Sequence, residues 1–199
     1  IKSSAASDVY KRQGNPYIKE KMDLDIQVSK LKLMKANHTS QKYRLEDNIT
    51  QHYPHQIAIF KERIEGFTAD MEKYAKNKPE DKEQFFMQVG GKPYTDKKEA
   101  GTAIIAMCKE IKGINASADV GEYLGFKLNV TFDSFNNKFV MNVKGAMSHP
   151  MEVGTDPLGN ITRINNALEA MPIQLEEAQT KLSNVEHQLE TAKAEVDKP

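Results

Sequence analysis

Residues that could bind phosphate or metal are few and scattered in this sequence. Residues 89–93, VGGKP, hold two glycines and a lysine, but a Walker-type phosphate loop requires another spacing and a Ser or Thr after the lysine. A tight hairpin-like turn is the better interpretation. His52 and His55 bracket Pro54 without cysteines or a third ligand nearby. We therefore interpret the two histidines as a solvated pair at a helix end.

The candidate nucleophile and acids also lack partners in the sequence. Cys108 lies on a short predicted helix with no pairable histidine, so we expect a buried structural thiol. A single cysteine forms no intrachain disulfide, which favours a reducing intracellular setting and predicts a cytoplasmic protein. Asp133 and Asp156 lie in predicted turns, where Asp is favoured for local hydrogen bonding. The sequence thus predicts no catalytic residue, metal site or cofactor in this chain.

Basic side chains are the remaining candidates for function. The chain has 28 basic and 28 acidic residues, whereas a free-standing nucleic-acid-binding protein usually has a basic excess. DNA contact would therefore come from local clusters, one on the first predicted helix near Lys42 and Arg44, and one opening a shorter helix. The alternative is solvated surface charge. Gly125 is a further candidate contact or a strand bulge. The candidate nucleic-acid contacts are Lys30, Lys32, Lys35, Lys97, Lys98 and Arg163.

A long helix is predicted at the start of the interpretable sequence. Asn15 is a good N-cap and Pro16 is favoured at the first helical position, so the helix runs from Pro16 to about residue 50. Pro54 then predicts a break or kink near residues 51–53.

Two later stretches, residues 54–77 and 161–196, carry apolar residues spaced alternately by three and four. This spacing predicts coiled-coil-like arms, with a kink or restart at Pro172. Antiparallel pairing of the two arms is the economical arrangement. The alternative is that each arm pairs with another molecule or with other parts of a larger protein. The predicted seam residues are Ile57, Phe60, Ile64, Phe67, Met71, Ile164, Leu168, Leu175, Leu182, Val185 and Leu189.

A small α+β module is predicted between the arms. Its short helix follows Thr95 and Asp96, either of which could be the N-cap, and Asn160 is predicted to cap the returning helix. Alternating apolar and polar residues predict strands with one buried face. The predicted strands are 85–89, 126–132, 139–143 and 147–153. The expected fold class is α+β, an antiparallel coiled-coil hairpin with an inserted module of one helix on an antiparallel β-meander.

The ends of the sequence do not look natural. Residues 3–13, SSAASDVYKRQ, resemble a translated sequencing-library adapter of the kind found in assembled environmental sequence. The chain begins with Ile1 rather than Met, which predicts an internal fragment of a larger protein, and no apolar stretch is long enough to cross a membrane. The predicted domains are a non-native leader at 1–13, a helical arm at 14–82, the α+β module at 83–157 and a returning arm at 158–199.

Five segments carry a family resemblance that covers essentially all of residues 14–199. They are NPYIKEKMDLD at 15–25, SQKYRLED at 40–47, VGGKPYTDKKEAG at 89–101, GEYLGF at 121–126 and GNITRINNAL at 159–168. Together they resemble the region after the helicase core in very large DNA helicase–methylase proteins of bacterial conjugative elements and phages.

In that family the upstream regions look like a Swi/Snf-type ATP-dependent helicase, often with an adenine-specific DNA methylase. The resemblance implies a non-catalytic accessory module that positions the motor on DNA or on a partner. It also implies that ATP and Mg²⁺ serve the parent protein, whose remaining chain would be the first partner. No ATPase or methylase motif lies in this sequence, so no catalytic residue carries over. The alternatives are a protein–protein interaction or self-association module without DNA contact, and an independent enzyme.

Overall fold

The computed structural model describes residues 15–111, 113 and 115–198 of the 199-residue chain. The adapter-like leader predicted at 1–13 lies outside these residues. The described residues divide into two compact units, a terminal unit of residues 15–54 and 187–198 and a central unit within residues 55–186. Each unit is described by itself.

The chain combines helices with one antiparallel sheet, which confirms the predicted α+β class. The helices are α1 (Pro16–Asp47), α2 (Tyr53–Asn77), α3 (Lys97–Glu110), α4 (Pro157–Glu169) and α5 (Met171–Val196). The strands are β1 (Met87–Val89), β2 (Lys92–Tyr94), β3 (Ser117–Tyr123), β4 (Phe126–Asp133), β5 (Lys138–Lys144) and β6 (Ser148–Val153). None of the described helices is long and apolar enough to cross a membrane.

Helix α1 begins as its sequence predicts. The Asn15 side-chain oxygen accepts a hydrogen bond from the Tyr17 amide at 2.9 Å, and Pro16 occupies the first turn, where its missing N–H costs nothing. No residue of the helix is buried. Its apolar residues follow no single face, so the helix presents no continuous stripe for packing.

The break predicted near residues 51–53 takes the form of a π-helical turn. This turn spans Asn48–His52, and the Tyr53 amide donates to the Asn48 carbonyl, five residues back. Pro54 follows at once and has no N–H to donate. The wider turn therefore lets the helical path continue into α2 across a proline.

The six strands form one antiparallel sheet in the order β2-β1-β3-β4-β5-β6. Each of the four predicted strands has a counterpart in β1, β4, β5 and β6, whereas β2 and β3 were not predicted. Gly90 and Gly91 join β1 to β2 with φ of 60° and 78°, which confirms the predicted turn and fits a two-residue hairpin. A register shift between Asp119 and Gly121 interrupts the β3–β4 pairing.

The core of the central unit lies between one face of this sheet and helices α3 and α4. The helices contribute Ile104, Cys108, Ile161, Ile164 and Leu168, all buried, against strand residues such as Met87, Phe126, Leu128 and Met141. The predicted seam residues Ile164 and Leu168 thus lie in the core with the strands. A Cβ on Gly101 would collide with the carbonyl of Pro157, so glycine permits the close approach of α3 and α4.

The predicted N-cap is confirmed for α3 but not for α4. Asp96, one of the two expected caps, accepts a hydrogen bond from the Glu99 amide at 3.0 Å. The prediction that Asn160 caps α4 is wrong, because Asp156 caps it, with Pro157 in the first turn. Asn160 is buried, and its side chain exchanges two hydrogen bonds with the Gly154 backbone at 2.8 and 3.0 Å.

The predicted restart near Pro172 is confirmed. Helix α4 ends at Glu169, Ala170 separates the helices, and α5 begins at Met171 with Pro172 in its first turn. The first turn tolerates proline because its amide has no partner within the helix.

Candidate functional site

A cleft in the central unit has a volume of about 810 Å³. It opens beside a second compartment of about 230 Å³. Both compartments are lined by Pro79, Gln84, Phe85 and Leu124, so we treat them as one composite cleft. This size is typical of a small-molecule or nucleotide site.

The end of α2 and the β3–β4 turn form one wall of the cleft. Leu124 and Gly125 have φ of 51° and 84°, which makes a two-residue hairpin turn rather than a bulge. The Asn77 amide donates to the Leu124 carbonyl at 2.9 Å and ties the turn to the helix. A Cβ on Gly125 would lie 2.9 Å from the Asn77 side-chain nitrogen. Gly125 therefore has a structural role, because it allows the β3–β4 turn to form close to Asn77.

Strand alternation places an exposed aromatic side chain in the larger compartment. Phe85 and Met87 point into the core, whereas Phe86 and Gln88 point outward, and 59% of Phe86 is exposed. Gln88 pairs in register with Glu122 on β3, so both side chains line the same wall. Phe86 thus gives the larger compartment an aromatic surface that a ligand can contact.

Three lysines line the smaller compartment. Lys78 and Lys82 come from the segment after α2, and Lys97 is the first residue of α3. The Lys78 ammonium lies 5.4 Å from the ring centre of Tyr74. None of the three lysines forms an ion pair with another described residue. Of the predicted contacts only Lys97 belongs to this cluster.

Two phenols and one carboxylate complete the smaller compartment. The Tyr123 hydroxyl donates to the Asn165 side-chain oxygen at 2.7 Å, and burial raises the pKa of Tyr123 to about 12. Burial and then the negative charge of Glu169 raise the pKa of Tyr74. Both phenols stay protonated at neutral pH and can donate hydrogen bonds, but they are poor bases or nucleophiles. The smaller compartment is thus suited to binding a ligand rather than to acid–base or nucleophilic chemistry by its phenols.

The basic stretch of α1 lies in the terminal unit. Lys30, Lys32 and Lys35 are exposed, and residues 26–45 contain five basic residues and no acidic ones. None of the five forms an ion pair within the described part of the chain. These side chains are therefore free to contact an anionic polymer.

The two other predicted contacts lie apart from the cleft lining. Lys98 is exposed in the first turn of α3. The Arg163 guanidinium donates to the Glu152 carbonyl at 2.9 Å and joins α4 to the last strand. Arg163 therefore has a structural contact that its sequence position did not reveal.

A buried hydrogen-bonded pair in the central unit was missed from the sequence. The side chains of Asp70 on α2 and His149 on β6 are each 1% exposed, and their nearest atoms lie 2.7 Å apart. The Asp70 carboxylate also accepts from the amides of Ala146 and Met147 at 2.7 and 2.9 Å. Two features of the sequence could have revealed this pair. Asp70 lies next to the predicted seam residue Met71, and His149 lies two residues before Met151, on the same face of the strand. The pair is closed to solvent and fastens α2 to the sheet.

No group of three or more potential metal ligands occurs among the described residues. Cys108 is buried, as predicted, and burial raises the pKa of its thiol to about 11. Such a thiol remains protonated at neutral pH and reacts slowly.

Comparison with family models, with curated proteins and with solved structures finds no match to this chain. The resemblance to the accessory region of DNA helicase–methylase proteins therefore stays a prediction from the sequence.

Proposed function

We propose that this chain is a non-catalytic accessory module of an ATP-dependent DNA helicase of a bacterial mobile element. It positions the motor on DNA or on a partner, and the parent protein supplies ATP and Mg²⁺ binding and any adenine-specific methylation, in the cytoplasm. The observation that carries the DNA contact is the basic stretch of α1, with five cations and no acid across residues 26–45.

This stretch has the dimensions and charge for contact with the phosphate backbone. At 1.5 Å per residue it extends over about 30 Å, which corresponds to about nine base pairs of duplex. Its long side chains reach outward from a helix that has no buried residue. Phosphate contact of this kind gives affinity without sequence preference, which suits a module that holds a moving motor on DNA.

Direct binding of DNA by the 199-residue chain is the first test. We expect a fluorescent duplex to bind at low salt and the triple substitution K30Q/K32Q/K35Q to weaken its binding by about tenfold. The matched control is K19Q/K21Q, at the acidic start of the same helix, which should have a smaller effect. Absence of affinity at low salt would contradict direct contact.

The identity of the parent protein is tested on its gene. We expect the source DNA to encode helicase motifs in frame upstream of Gly14 and to lack the adapter-like codons. A natural start codon near Gly14 would instead contradict the helicase assignment and favour a small interaction protein.

The proposal includes an antiparallel coiled-coil hairpin between α2 and α5. In support, the predicted seam residues of both helices are buried or half-buried, and residues of both line one cavity of about 300 Å³. Arg63 and Phe67 come from α2, and Gln174 and Ala178 come from α5. Intrachain pairing predicts a melting temperature that is independent of protein concentration, whereas pairing between molecules predicts one that rises with it.

A self-association module is the second candidate function, and a local apolar patch at Leu31 and Met34, one helical turn apart on α1, favours it. Both side chains are exposed, Leu31 at 64% and Met34 at 65%. Sedimentation equilibrium distinguishes the candidates. A monomer at micromolar concentration favours the DNA-contacting module, and an oligomer that L31Q/M34Q dissociates favours self-association.

A further inference from the structure

We propose that the composite cleft binds a nucleoside phosphate, with the phosphate at the three lysines and the base against Phe86. The ligand is either a free nucleotide or one unit of single-stranded DNA. The inference rests on the proposed function, because DNA contact by this chain is the reason to expect a ligand derived from nucleic acid. The cleft lies in the central unit, however, whereas the basic stretch of α1 lies in the terminal unit. The two sites can therefore be tested separately.

The smaller compartment has the chemistry of a phosphate site. Lys78, Lys82 and Lys97 contribute three cations against one anion, Glu169, which leaves an excess of positive charge. The Asn165 side-chain amide adds a neutral donor, whereas the Tyr74 hydroxyl is hydrogen-bonded to Glu169. A phosphate presents acceptor oxygens only, so it fits a compartment that combines cations with a neutral donor.

The region between the two ends of the cleft is apolar and aromatic. Phe85 and Leu124 line both compartments, and Phe86 lines the larger one with most of its ring exposed. A nucleobase is a flat ligand with an apolar face, and stacking on an aromatic side chain removes both surfaces from water. Phe86 is the side chain that we expect to stack.

The larger compartment carries hydrogen-bond acceptors among its lining residues. Glu83 and Glu122 line it together with Gln88, and no lysine or arginine does. Two carboxylates repel a further phosphate but accept hydrogen bonds from the exocyclic amino groups of adenine, cytosine or guanine. Thymine has no such amino group. The charge order along the cleft therefore orients the ligand and predicts preference for amino-bearing bases.

The direct test is titration calorimetry of the full 199-residue chain with dAMP, dTMP and inorganic phosphate. We expect dAMP to bind several-fold more tightly than dTMP, and both to bind more tightly than phosphate. Equal binding of dAMP and phosphate would overturn the assignment of the base to Phe86. Equal binding of dAMP and dTMP would overturn the role of the carboxylates.

Variants locate the binding within the molecule. K78Q/K82Q/K97Q should weaken dAMP binding by about tenfold, and the matched control K61Q/K109Q/K144Q, at exposed lysines of the same unit outside the cleft, should leave it unchanged. F86S should weaken dAMP binding but not phosphate binding, and its native circular dichroism spectrum would show that an exposed ring was removed without unfolding. Unchanged dAMP affinity in both cleft variants would overturn the proposal.

The oligonucleotide (dA)₅ distinguishes the two sources of the ligand. Tighter binding of (dA)₅ than of dAMP supports a single strand, and binding of dAMP alone supports a free nucleotide. Salt-sensitive duplex binding without binding of dAMP or (dA)₅ would overturn the cleft proposal and leave the proposed function standing. Binding of dAMP in a chain without duplex affinity would support the cleft and contradict the DNA contact of α1.

Discussion

Helix α1 has no buried residue over its 32 positions, whereas Leu128, Met141 and Ile164 in the central unit have no exposed surface. The helix therefore depends on its cap, its local propensity and its continuation through the π turn. The central unit depends on burial of a shared core. The same chain thus combines a helix whose residues are available for contact with a unit whose residues are committed to packing.

The largest difference in stability between α1 and the central unit should appear when one carboxylate is removed from each of them. Asp70→Ala leaves the His149 ring and the amides of Ala146 and Met147 without their hydrogen-bond acceptor in a closed site, which should cost about 3–5 kcal/mol in the free energy of unfolding. The matched control Asp23→Ala removes an exposed carboxylate from α1 and should cost less than about 0.5 kcal/mol. Urea unfolding followed by circular dichroism measures both. Equal effects would contradict the structural role of the pair.

A leucine in each region sharpens the comparison through packing alone. Leu128→Ala removes a fully buried side chain and should lower the free energy of unfolding by about 2–5 kcal/mol. Leu31→Ala truncates a side chain that is 64% exposed and should change it by less than about 0.5 kcal/mol. A large loss in the Leu31 variant would show that α1 is buried against a partner in solution.

Alkaline pH should destabilise the central unit to a smaller extent. Burial raises the pKa of Tyr123 from 10.0 to about 12, so the folded state favours the protonated phenol. Stability is therefore fully present below pH 10 and falls as the pH rises from about 10 to 12, by about 3 kcal/mol at most.

The control for the alkaline loss is Tyr123→Phe. This variant lacks the ionising group and should show a shallower loss over the same pH range, measured by urea unfolding at a series of pH values. An identical loss in this variant and in the wild type would assign the effect to other groups.

Local patterns in the sequence predicted most of the strands and helix starts. The alternation of residues 126–132 and the Asn15-Pro16 pair act through neighbouring residues, so they are readable without the fold. Strand β3 escaped prediction because Asp119, Gly121 and Glu122 interrupt its apolar alternation, and its register shifts there. Asn160 was misassigned because its polar side chain suits a cap as well as a buried loop contact.

The cleft is lined by residues from separate elements, so the spacing of residues in the sequence does not predict it. Lys78, Lys82 and Lys97 are brought together by the end of α2, the following segment and the start of α3. Asp70 and His149 are 79 residues apart, so only the packing of α2 on the sheet reveals their pairing. Lys97 was predicted as a nucleic-acid contact, but the other two lysines of the cluster, Lys78 and Lys82, were not.

The salt dependence of duplex binding tests the central claim most directly. Anisotropy of a labelled duplex, measured from low to physiological salt, should give an association constant that falls linearly on a log–log plot. Replacing Lys30, Lys32 and Lys35 with Gln should reduce the magnitude of the slope by about 2–3, because up to three phosphate contacts are lost. A slope that is the same in the variant and in the wild type, or no binding at low salt, would contradict DNA contact through α1.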